Sequence, residues 1–139
     1  MRTRLVLAVL PVALLGAVAL PSSAAPKGMS GSYTAAAATP GAPDCDGTAP
    51  GSLHSAPIKL PGAGRMTADL SGFAGDWDFF LFSNGAELSA SAGGDIGGAM
   101  DAKETVSAKI KKAGTVMIVS CNWAGGPTGA VKWTFTPNK

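Results

Sequence analysis

Asp76 and Asp78, on either side of Trp77, are the residues whose type and spacing most directly suggest chemistry. On a strand that begins at Asp76, positions i and i+2 share a face, so the two carboxylates would converge. With Asp95 and Asp101 of a glycine-rich stretch, they could gather oxygen ligands for a calcium ion, which takes six to eight. The same aspartates suit hydrogen bonds to the backbone amides of their own turn, and the EF-hand spacing is absent. Asp78 and Glu104 could pair for glycosidase chemistry, but a chain of this size offers little room for a cleft deep enough to tune two carboxyls. No serine has a neighbouring base pattern and no Gly-x-Ser-x-Gly elbow occurs. No phosphate-binding glycine pattern lies between a strand and a helix. We therefore expect no enzymatic activity, and no cofactor beyond calcium at Asp76 and Asp78.

Cys45 and Cys121 are the only two cysteines and His54 the only histidine. That is too few ligands for a zinc site, and an even pair in an exported chain reads as a disulfide. Unpaired thiols, or a Cys121 nucleophile served by His54, are the other readings. His54 itself reads as exposed and idle. Of the three tryptophans, Trp77 and Trp133 fall on apolar strand faces and should be buried. Trp123 precedes Ala-Gly-Gly-Pro, where a loop could expose the ring as a ligand-binding surface or fold it as a lid over the sandwich end. Lys109, Lys111 and Lys112 read as a solvated hairpin end.

The elements that must position these residues follow a cleavable leader. Arg2 and Arg4 precede an apolar run from Leu5 to Leu20, and small residues follow to Ala25. This is the pattern of a secretory signal peptide over 1–25, too short for the roughly 20 apolar residues of a span. The formal charge of +2 on 139 residues falls to zero once Arg2 and Arg4 are gone. A balanced chain builds no field for nucleic acid or an anionic membrane. Residues 26–55 read as a flexible arm, because Met29, Tyr33 and Leu53 are its only large apolar side chains and offset little ordering entropy.

From Ala56 the pattern changes to short strands. Arg65–Leu70, Glu104–Ile110 and Val131–Phe135 alternate apolar with polar, whereas Trp77–Phe82 and Thr115–Cys121 are apolar on both faces and read as central. Pro57–Leu60 and Glu87–Ser91 complete the set, and Asn84-Gly85 is a hairpin signal. Gly93–Gly98 and Ala124–Gly129 read as loops. Seven short strands without a helical stretch predict an antiparallel β-sandwich over 56–139.

The run Leu70-Ser-Gly-Phe-Ala-Gly-Asp-Trp-Asp-Phe-Phe-Leu-Phe82, followed by Asn84-Gly85, resembles the first half of a bacterial pre-peptidase C-terminal domain. Lys112-Ala-Gly-Thr-Val116 and the closing strand Gly129–Thr136 resemble its second half. The resemblance covers residues 56–137 and implies a jelly-roll-like β-sandwich of seven to eight strands, kin to collagen-binding domains. Val116 and Trp133 stand where the family has tyrosines, so no tyrosine-built collagen surface carries over. The expectation is a secreted, monomeric, non-enzymatic binding or accessory module for an extracellular protein or polysaccharide. A small hydrolase or hydrolase inhibitor is the alternative.

Overall fold

The computed structural model describes residues 27–40, 45, 47–92 and 103–139. The expected leader at 1–25 and the glycine-rich stretch with Asp95 and Asp101 lie outside the described residues. The strands are β1 (Met29–Ala36), β2 (Leu53–Leu60), β3 (Gly64–Ser71), β4 (Gly75–Ser83), β5 (Ala86–Ser91), β6 (Lys103–Ile110), β7 (Gly114–Gly125) and β8 (Thr128–Pro137).

Four antiparallel pairs nest inside one another: β1 with β8, β2 with β7, β3 with β6, β4 with β5. They are laid into two four-stranded sheets, ordered β1-β8-β3-β6 and β2-β7-β4-β5. This is the eight-stranded jelly roll, as expected. The Asn84-Gly85 turn has φ of 51° and 77°, the left-handed pair that matches the twist of a two-residue hairpin.

The core lies between the sheets. Met66, Leu70, Val106, Val131 and Phe135 of the first sheet meet Trp77, Phe79, Leu81, Val116 and Ile118 of the second, all essentially buried. Clean alternation in β3, β6 and β8 leaves the outer face of the first sheet polar. Arg65, Thr67, Asp69, Thr105, Ser107, Lys132 and Thr134 lie there, with Thr105 Oγ1 donating to Asp69 Oδ1 at 2.6 Å.

The flexible arm expected over 26–55 is corrected at both ends. Met29–Ala36 is a full strand, in register with β8 from Met29↔Phe135 to Ala36↔Thr128, and β2 begins at Leu53 rather than Pro57. The arm's small residues carry little apolar area, but β1 is an edge strand held by its backbone ladder. Beside Tyr33, which packs against the core, its inward side must be small at position 31: a Cβ on Gly31 would stand 2.7 Å from the Trp133 ring. Ala35 and Ala37 are fully buried. Low hydrophobicity here reflects lack of space, not lack of structure.

His54 is likewise not idle. It is half-buried, accepts a hydrogen bond from the Ala36 amide at Nδ1 (3.3 Å) and stacks on Tyr33 with centroids 5.3 Å apart. It therefore ties β2 to β1 across the sheet edges.

Candidate functional site

β4 and β7 are the inner strands of the second sheet, as their two-sided apolar pattern suggests. In a two-layer sandwich, however, even an inner strand has only one face against the core. Trp77, Phe79 and Leu81 of β4, and Val116 and Ile118 of β7, point inward. Phe80, Phe82, Met117 and Val119 are left on the outside. Phe80 is paired with Val119 and Phe82 with Met117, while Pro57 lies opposite Met117 on β2. The Phe80 and Phe82 rings are 6.1 Å apart and tilted by 37°. None of these residues belongs to the core cluster or packs against it, and each is half-buried by its own neighbours, except Pro57, which is exposed.

The two outer faces therefore differ: hydroxyls and charges cover the first sheet, whereas the second carries Phe80, Phe82, Met117 and Val119 at its centre, bordered by Ser55, Lys59, Thr115, Glu87, Asp76 and Asp78.

Beyond Phe80, β4 carries Asp78 and Asp76. Asp78 pairs with Cys121, whose disulfide to Cys45 is formed, with Cα atoms 5.9 Å apart. Asp78 Oδ2 lies 3.2 Å from Cys45 Sγ. This is a packing contact, because a disulfide sulfur has no proton to donate, and neither sulfur is free to ligate a metal. Burial pushes the Asp78 carboxyl up to about 6, helped by the negative charges of Asp76 and Glu104. Glu104 itself hydrogen-bonds Ser91 Oγ, which links β6 to β5 across the sandwich edge. Asp76, Asp78 and Glu104 thus share one acidic rim. They would supply the carboxylates for a calcium ion, and nearby carbonyls would have to complete the six to eight oxygens.

Trp123 is not in a loop: β7 runs on to Gly125, and only Gly126 and Pro127 separate it from β8. Trp77 pairs with Asn122 and Asp76 with Ala124, so Trp123 is the extra residue of a β-bulge and is half-buried. Bulges re-aim side chains at sheet rims. The adjacent Asn122 is fully buried and closes this end of the sandwich, donating to Ala37 O at 2.7 Å and Gly126 O at 3.0 Å. Trp77 Nε1 reaches the same Gly126 carbonyl at 3.2 Å. Neither the outward apolar face nor Asn122 was singled out from sequence. The signal for the face was present, in two strands apolar at consecutive rather than alternate positions.

No protein-family model matches the chain, and no curated protein matches it. Among the described residues, no helix is long and apolar enough to cross a membrane.

Proposed function

We propose that the protein is a secreted, non-enzymatic binding module that docks an extracellular protein partner on the outer face of its second sheet. One observation carries this reading: Phe80, Phe82, Met117 and Val119 form an outward apolar layer, whereas the other sheet's outer face is polar. The aromatic and methionine side chains at the centre of this face, with Ser55 and Glu87 beside them, match the apolar centre and polar surround of a protein interface. Asp76 and Asp78 at one margin and Lys59 at the other supply a polar rim that sets orientation. The disulfide supports an oxidising compartment, and the resemblance to pre-peptidase C-terminal domains supports an accessory role.

The test is co-sedimentation with insoluble collagen or elastin, and with cellulose or chitin, each with and without a calcium chelator. Retention on a protein matrix that is lost in Phe80→Ser/Phe82→Ser, with the melting temperature kept, is the expected result. Retention equal in the variant, or a self-associated protein whose dimer buries this face, overturns the reading.

A hydrolase is the second reading, favoured by Asp78, partly buried beside Glu104 with its carboxyl near 6, a value suited to a general acid. Turnover of chromogenic glycosides that disappears in Asp78→Asn would establish it.

A further inference from the structure

The β4–β5 and β6–β7 turns meet at the end of the sandwich opposite the acidic rim and line an open cleft of about 340 Å³, within the volume range of small-ligand sites. Its apolar lining is the buried Ile110 and Val116 and the exposed Leu88. Its mouth carries the exposed Lys109, Lys111 and Lys112 and the turn residue Asn84. None of the three lysines makes an ion pair with a described residue.

The wider charge pattern points the same way. Lys59 pairs with Thr115 and Arg65 with Lys109 at this end, and Lys27 and Lys139 flank the neighbouring strand ends. Glu87 is the one described carboxylate here. Asp69, Asp76, Asp78 and Glu104 lie toward the other end. Lys103 and Lys132 are the described cations at that end, so the described charges are polarised along the sandwich and the basic end carries a local positive field.

We infer that this cleft binds a small organic anion: a carboxylate, sulfate or phosphate monoester on an apolar body. The anionic group would sit among Lys109, Lys111, Lys112 and the Asn84 amide, and the body against Leu88, Ile110 and Val116. Charge alone would hold any anion loosely at an exposed site, because salt screens it. The apolar lining selects anions that carry hydrocarbon. The inference is independent of the docking face, which lies on the outer side of the second sheet.

Amide NMR titration of the disulfide-bonded protein tests it, with phenyl phosphate, inorganic phosphate and benzyl alcohol as probes. Phenyl phosphate should shift Ser83, Asn84, Leu88 and residues 109–114, and bind about tenfold tighter than either other probe. Lys111→Glu/Lys112→Glu should weaken it about tenfold without changing the melting temperature. Phe80→Ser/Phe82→Ser should leave the titration unchanged. Equal affinity for inorganic phosphate or benzyl alcohol, shifts outside the cleft, or full affinity in the lysine variant overturns the inference.

Discussion

Replacing Asp78 with asparagine should stabilise the protein at neutral pH and do almost nothing in acid. The carboxyl is pushed from its ordinary 3.8 up to about 6 by burial against the disulfide and by the charges of Asp76 and Glu104. The folded state therefore holds this proton more tightly than the unfolded chain does. Asp78's contribution to stability is complete below about 3.8 and is lost as the pH rises through about 6. A separation of about two pKa units corresponds to about 2.7 kcal/mol. Asp78 keeps part of its side chain in water, and solvent screening reduces this to about 1–1.5 kcal/mol. Asparagine keeps the shape and cannot ionise, so Asp78→Asn should match the parent near pH 4 and exceed it by that amount near pH 7.5. Urea unfolding midpoints from pH 4 to 8, in chelator, measure the difference directly. A difference independent of pH, or a variant less stable at pH 7.5, would refute the argument. Added calcium separates a second possibility. If Asp76 and Asp78 hold the ion, calcium stabilises the parent and leaves the variant unmoved.

Denatured, unreduced protein should label with no free thiol, and reduction should cost up to about 4.5 kcal/mol, since Cys45 and Cys121 are 76 positions apart; an unchanged unfolding midpoint on reduction would contradict this. Deleting residues 27–37 should lower the melting temperature by 10 °C or more (about 2 kcal/mol or more), because it strips the β8 ladder and uncovers Trp133; a shift of a degree or two would show that β1 is dispensable. Phe79→Ala should cost about 3–5 kcal/mol as a core cavity, and Trp123→Ala clearly less because the ring is only half-buried. Equal losses by chemical denaturation would place Trp123 in the core.

How much was legible depended on whether a residue's role shows in its own neighbourhood. β3, β6 and β8 announced themselves because one face meets core and the other meets water, so alternation reports burial directly. The Asn84-Gly85 hairpin was legible because its backbone demands left-handed residues. β1 was not, because the chain signals it by small side chains, and smallness reads locally as a linker. Only the partner shows why Gly31 must be small, and Trp133 is about a hundred residues away in sequence. Trp123 was misplaced because the glycines after it belong to a strand end, which nothing short of pairing β7 with β4 reveals. For the candidate site, the sequence exposed the ingredients and hid their arrangement. Phe80 and Phe82 look like core until the number of layers is known. Lys109, Lys111 and Lys112 look like ordinary solvated charge until the hairpin carrying Asn84 is brought against them.

The nesting of the strand pairs also sets an order of events. Of the hydrogen-bonded strand pairs, only β4 and β5 are consecutive in sequence, so a chain delivered from its N-terminus can close just this hairpin early. β3 must wait for β6, β2 for β7, and β1, the first strand to arrive, for β8, the last. Contacts so distant in sequence make folding slow, and Cys45 remains a free thiol until Cys121 arrives. The first sheet cannot acquire its inner strand β8 before nearly the last residue is available. Until then the apolar stretches of β4 and β7 lack the first sheet that covers their inner faces. During synthesis the chain therefore stays extended and vulnerable to aggregation until its C-terminal strand is available.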